Sequence, residues 1–535
     1  MRTRLLRRAA ALGALGLTGI AVGACQDLTV PNQNNPDRDK ALQNPGDVEA
    51  LIGGSWRVMW SRQQSGTSVV YTLPLVADEM SATYANEGAL ELASEPRAPY
   101  NNSTIADAGG LARFPWYDFH SILSSANETL MSIDSGLVIL TTDSGSTERD
   151  NTQRARAFAK LMQGVSLGYL GMLYDQAWAV REHTDTSLIL GLPFSPYREV
   201  MDSALLSLDE AVAIARANSF ITPRSWVVGV PLPNEELARV ASSYAARILV
   251  YGARTPEERA AVDWQRVLDY ANAGIRQDLS PEMSSNTITS TYLSISQRNT
   301  LGTVAARADY RLVGPADTSG EYQKWMAKPL SDRVRFNIAT ADRRVTGAGG
   351  PTTSGTYFRY LADNNNLRPE RGVYHFSGYQ WFRNNGTSSS GLKAIMTVDE
   401  MRLIKAEALA RLGRFQEAAD SANVTRIANG KLDSVTASGG RASTTPPPAP
   451  PAQPVLQPCV PRMDSGACGD LLYSIMYERM IEAAGLDAMR AYLDRRGWGT
   501  LAPGTFIQLP VPARELQTLR MAVYTFGGGG PGSAK

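Results

Sequence analysis

The side chains in this sequence best suited to chemistry are aromatics set among amides and arginines. Trp325, Tyr357, Tyr360, Tyr374, Tyr379 and Trp381 fall in one stretch, interleaved with Arg359, Asn364 and Arg383. A sugar offers apolar C–H faces that stack on Trp and Tyr, and hydroxyls that amides and charged groups bind, so the stretch has the composition of a glycan-binding surface. Taken singly, each of these aromatics has the simpler reading of packing. Signatures of catalysis are sparse. His120, His183 and His375 are the only histidines, and they stand in unrelated segments without metal-ligand spacing. There is no Gly-x-Ser-x-Gly elbow and no phosphate loop, so neither a cofactor nor a metal is expected. Paired carboxylates, the groups a glycosidase needs, occur as Asp78-Glu79 and as Glu407 with Glu417. Glu407 reads more simply as a scaffold position on a helix, and Asp78-Glu79 as solvated or capping residues. Glu478, Arg479, Glu482, Asp494, Arg495 and Arg496 form a dense charge cluster on two consecutive helical stretches. It is suited to contact with a partner, but arginines pairing carboxylates between helices more often hold a fold together.

The amino terminus carries a different chemistry. Arg2, Arg4, Arg7 and Arg8 precede an uncharged run from Ala9 to Ala24 that closes on small residues, the pattern of a secretory signal peptide. Gly13, Gly16, Gly19 and Gly23 make that run a poor membrane span. Val22-Gly23-Ala24-Cys25 resembles the bacterial lipobox, in which the thiol receives a lipid. Residues 1–24 are therefore expected to be removed and Cys25 to be acylated, attaching the chain to a membrane.

Without the four arginines of the leader, the 53 basic residues fall to 49 against 52 acidic ones, a net charge of −3 that leaves no nucleic-acid footprint. With Cys25 given to lipid, only Cys459 and Cys468 remain, nine positions apart in an exported chain, and a local disulfide is expected.

The elements that must position these groups are mainly helices. Residues 25–40 read as a tether, and Asn44-Pro45 reads as an N-cap and first helical residue ahead of Val48, Leu51, Ile52, Trp56 and Met59. Helical spacing recurs over 114–133, 154–179, 196–217, 235–251 and 264–275, with a further helix start at Thr255. Between Val398 and Asn429, Ala406, Leu409, Gly413, Phe415 and Ala418 sit at the offsets of a tetratricopeptide hairpin. One hairpin cannot bury its own apolar face, so the pairs over 154–218 and 235–275 are its expected neighbours. Residues 281–396 lose helical periodicity and read as an irregular lobe with a few short strands. Residues 434–468 read as a Pro-rich surface loop, and 527–535 as a flexible tail.

Several separated segments resemble the SusD/RagB family of nutrient-binding outer-membrane lipoproteins. They begin with Cys25-Gln-Asp-Leu-Thr-Val-Pro-Asn, the opening Asn44-Pro-Gly-Asp-Val-Glu-Ala-Leu-Ile, and Trp116-Tyr117 with Ile122 and Asn127. Toward the carboxyl end follow Arg402-Leu-Ile-Lys-Ala-Glu-Ala-Leu-Ala-Arg-Leu-Gly, Glu478-Arg479, Glu482, Asp494-Arg495-Arg496, Gly497-Trp498-Gly499 and Leu509-Pro-Val-Pro. Two departures are Gly485-Leu486-Asp487, where the family carries an acid-glycine pair, and the length of the 434–468 loop. The resemblance implies a mostly α fold of tetratricopeptide-like hairpins over 41–526, with the irregular lobe supplying most of the ligand surface. It adds Tyr84 and Asn86, in the loop after the first helix, as ligand contacts. It implies a surface-exposed outer-membrane lipoprotein that binds an oligosaccharide, or in some members a peptide, and delivers it to a SusC-like TonB-dependent barrel without catalysis. The competing readings are a lipid-anchored glycoside hydrolase and a tetratricopeptide scaffold for envelope assembly.

Overall fold

The structure, a computed structural model, describes residues 38–64, 69–82, 88–106, 108, 110–141, 148–185, 191–283, 306–361, 377–381, 390–438 and 459–528. Cys25, Tyr84, Asn86, Tyr374 and His375, and the side chain of Trp381, lie outside the described residues. The chain divides into two units, Met1–Asn44 and Pro45–Lys535. Of the first, a one-turn helix at Arg38–Ala41 is described.

The second unit is built on helices α1 (Pro45–Gln64), α2 (Gly110–Asp134), α3 (Thr152–Leu173), α4 (Tyr197–Ala217), α5 (Asn234–Gly252) and α6 (Trp264–Asn272). Helices α7 (Val398–Arg411), α8 (Phe415–Ala428), α9 (Leu471–Glu482) and α10 (Arg490–Trp498) follow. Each helix from α1 to α8 packs on the next, so α3–α4, α5–α6 and α7–α8 form three stacked hairpins. This is the mostly α, tetratricopeptide-like arrangement expected: each hairpin covers the apolar face its neighbour exposes. Helix α3, between α2 and α4, is buried nearly all round, and its interior Lys160 and Gln163 both donate to the Glu182 carboxylate.

The helix boundaries follow local chemistry. Thr255, Asp263, Thr397 and Asp470 cap helices by accepting hydrogen bonds from the backbone N–H three residues on, at 3.2, 3.0, 3.1 and 2.7 Å. Gly413, with φ +77°, makes the turn between α7 and α8. The segment 154–179 departs from expectation, for α3 ends at Leu173. Tyr174 is extended and its amide is already bonded to the Leu170 carbonyl, while Gln176–Ala177 pairs with Ser195–Pro196.

The irregular lobe carries short helices, Tyr310–Val313 and Glu321–Ala327, a two-residue pairing of Glu282–Met283 with Gly391–Leu392, and two longer antiparallel ladders. Strand β1 (Met80–Ala82) pairs with β2 (Ala306–Ala308), Ser81 opposite Arg307. Strand β3 (Phe358–Tyr360) pairs with β4 (Tyr379–Trp381), Arg359 opposite Gln380. The ladders lie side by side, joined where Ser377 Oγ donates to the Ala308 carbonyl at 2.6 Å. Cys459 and Cys468 are disulfide-bonded, with Cα atoms 5.7 Å apart.

The carboxyl-terminal charge cluster lies in the interior. Arg259 donates twice to Glu407, at 3.0 and 2.7 Å, Arg479 donates to the same carboxylate at 2.7 Å, and both arginines reach Asp494. Burial alone would raise the Glu407 carboxyl, but the Arg259 and Arg479 charges overcome it and hold the group well below the usual carboxylate range. In a second network Arg344 bridges Asp342, Glu478 and Glu482. Asp78 and Glu79 are neither solvated nor caps: both are buried, Asp78 paired with Arg97 at 2.7 Å and Glu79 with Arg490 at 2.7 Å.

Candidate functional site

The aromatics singled out in the sequence converge on the irregular lobe, but burial separates them. Trp325 is buried among Tyr310, Tyr322 and Phe336, with the Arg333 guanidinium over its ring at 4.7 Å. Tyr357 is buried and donates to Glu482 Oε2 at 2.8 Å. Tyr379 is fully buried, its hydroxyl donating to the Pro351 carbonyl and accepting from the Ile338 amide at 3.1 Å. Burial raises that phenol to about 12. These three rings are packed inside the lobe, the simpler of the two readings their sequence positions allow. Tyr360 differs: it is half-buried at the edge of β3, its ring against Tyr379 at 5.6 Å.

A cleft of about 320 Å³ opens elsewhere, between α9, α10 and the short helices of the lobe. Tyr473, Met476 and Met480 from α9 line one side, each half-buried at i, i+3 and i+7. Met326 and Met463 extend this apolar lining, and Trp498 closes it. Trp498 is fixed from behind, its indole N–H donating to Glu407 at 3.3 Å and its ring 4.7 Å from the Arg479 guanidinium. Arg311, Asp464 and Arg495 add charge to the lining. Arg495 is positioned by a 2.8 Å bond to the Arg311 carbonyl. Polarizable thioethers and aromatic rings beside a few fixed polar groups suit an organic ligand with apolar faces and hydrogen-bonding edges. The cleft was missed in the sequence because the α9 stripe reads equally as core; its signal was the Tyr473, Met476, Met480 spacing.

The described histidines, His120 and His183, are not among the residues lining this cleft. His120 bonds the Trp116 carbonyl at 2.8 Å, and burial lowers it to about 4 against that bond. His183 is exposed, 3.5 Å from Asp134. Glu417 is exposed and paired with Arg414, far in role from the buried Glu407. Among the described residues no group of three His, Cys, Asp or Glu is placed to hold a metal, and no helix is long and apolar enough to cross a membrane.

Among solved structures, the chain is similar to a SusD superfamily protein from Bacteroides vulgatus, at TM-score 0.53 and 12% identity over 89% of this chain and 97% of that one. It is similar to another SusD superfamily protein, from Bacteroides thetaiotaomicron, at TM-score 0.53 and 12% identity over 89% and 98%. A SusD superfamily protein from Bacteroides fragilis matches at TM-score 0.52 and 13% identity over 89% and 97%. No protein-family model matches the chain, and no curated protein matches its sequence. The fold over 89% of the chain is thus shared with proteins that match it at 12–13% of positions.

Proposed function

We propose that this chain, which has the SusD-superfamily fold, is a lipid-anchored outer-membrane protein that captures a nutrient at the cell surface and delivers it to a SusC-like TonB-dependent barrel. An oligosaccharide is the default ligand and a peptide the variant. A fold alone does not fix a function. What carries the reading is that one chain joins a leader ending at Cys25 to this fold. The thioethers and aromatic rings of the cleft, beside its fixed charged groups, suit the binding of an organic ligand.

Isothermal titration of the soluble chain against a panel of oligosaccharides and peptides tests capture, and affinity purification of the tagged chain from detergent-extracted outer membrane tests the partner. Saturable binding of one ligand class and recovery of a barrel are expected. Absence of both overturns the reading.

A further inference from the structure

The ladders β1–β2 and β3–β4 enclose a group of donors that the fold leaves without acceptors. Arg307, on β2, is fully buried, and its Nε, Nη1 and Nη2 atoms have no hydrogen-bond partner. Gln380, on β4, is buried with its Nε2 unpartnered, while its Oε1 accepts from Arg359 Nη2 at 2.6 Å. Arg359 Nε is likewise unpartnered. Arg335 lies alongside, donating to the Leu361 carbonyl at 3.1 Å; a Cβ built on Gly378 would lie 2.6 Å from its Nη2 and 2.8 Å from the Tyr360 ring, so glycine is what lets them meet.

Other buried arginines spend their donors: Arg344 has three carboxylates, Arg259 and Arg479 share two, and Arg496, which has none, donates to the Ile507 and Tyr251 carbonyls. Arg307 has neither kind of acceptor. Burial, with the Arg335 and Arg359 charges beside it, lowers its guanidinium to about 9, so it still carries its charge at neutral pH. A buried charge without a counter-charge is costly to keep. Stability does not account for Arg307; a ligand that supplies the missing acceptors would.

We propose that Arg307, Arg359 and Gln380, with Arg335 beside them, form a receptor for a carboxylate borne by an acidic oligosaccharide. Arg307 makes the floor, and the half-buried Arg335, Arg359 and Tyr360 lead from it to the surface. The planar guanidinium fork matches a carboxylate with two parallel bonds, Gln380 Nε2 adds a third donor, and the Tyr360 ring is placed beside the sugar that carries the acid. The inference rests on the capture reading above and names the class of sugar captured.

Isothermal titration with tetragalacturonate, tetramannuronate, a neutral galactan tetrasaccharide and an acidic tetrapeptide tests it, on the wild-type chain and on Arg307→Met and Gln380→Met. Binding of a uronate tetrasaccharide, weakened by salt and at least about tenfold by Arg307→Met, is expected. Arg307→Met should leave the melting temperature unchanged or raised, because an unpaired buried charge is removed; a role in holding the fold would lower it. Gln380→Met gives a smaller loss of affinity and keeps the test open if the first variant fails to fold. Uronate binding that neither variant alters overturns the proposal, as does preference for the neutral sugar or for the peptide; these results leave nutrient capture standing. Silence toward every probe together with no recovered barrel overturns capture itself.

Discussion

At the scale of single residues, charge and burial decide what each group does. Glu407 illustrates it, because its carboxylate is shared by Arg259 and Arg479 with no water to replace it. Glu407→Gln keeps the shape and removes the charge, leaving two buried guanidinium groups to share Asp494; a loss of about 3–5 kcal/mol in urea unfolding is expected. A catalytic Glu407 would instead give a stable, inactive variant. His120 supplies a pH dependence. Its imidazole titrates at about 4 when folded, against about 6.5 unfolded. Between those values the unfolded chain binds the extra proton, so the stability it contributes is complete above about pH 6.5 and disappears as pH falls through about 4. Wild type should therefore lose more of its urea midpoint between about pH 7 and pH 4.5 than His120→Gln does. The scaffold role of Glu407 was legible in its helical position. The burial of Asp78, Glu79, Trp325, Tyr357 and Tyr379 was not, since Glu79 meets Arg490 and Tyr357 meets Glu482 only after distant segments pack.

At the scale of elements, the stacking of hairpins depends on small residues where helices touch. A Cβ on Gly168 of α3 would stand 2.3 Å from Ile248 Cδ1 and 2.7 Å from its Cγ1 on α5, so Gly168→Ala forces that buried side chain off its position despite the better helix propensity of alanine. Overpacking of this kind costs about 1–3 kcal/mol, and a lowered thermal midpoint is the expected reading. The disulfide acts on a smaller piece. It closes a separation of nine residues, so the double substitution Cys459→Ser, Cys468→Ser should cost about 2–3 kcal/mol by the loop-entropy argument, readable as a drop in melting temperature that reductant reproduces in wild type. Helices were the legible elements, since their caps and apolar spacing are local: the start at Pro45, the cap at Thr255 and the turn at Gly413 all stand where the residues put them. The end of α3 was misread because Tyr174 is drawn into an extended bridge with Leu509, a partner over 300 positions away. The strands of the irregular lobe were illegible for the same reason: β1 finds β2 across more than 200 residues, and three-residue strands carry almost no periodicity of their own.

At the scale of the whole molecule, the question is whether anchoring and binding are separable. The cleft and the donor cluster described above are both built from the unit Pro45–Lys535, and Cys25 precedes that unit in the sequence. Residues 25–40, rich in Asn, Asp and Pro, have the composition of a tether. If acylation of Cys25 does no more than hold the chain at the membrane, the binding free energy is independent of it, because no lipid contact enters the ligand site. Cys25→Ala should then move the protein from the membrane fraction to the soluble one while its titration curve against the captured ligand stays superimposable on that of the delipidated wild type. Delivery should respond differently. On the proposed reading, tethering replaces free encounter with a barrel by an effective concentration set by linker length, so losing the anchor would weaken that association without changing any contact in it. Uptake by cells carrying Cys25→Ala should therefore fall and recover when the soluble variant is added back in excess. Lost ligand affinity in the variant, with its helical content and melting temperature intact, would show that the lipid shapes the binding unit as well as holding it.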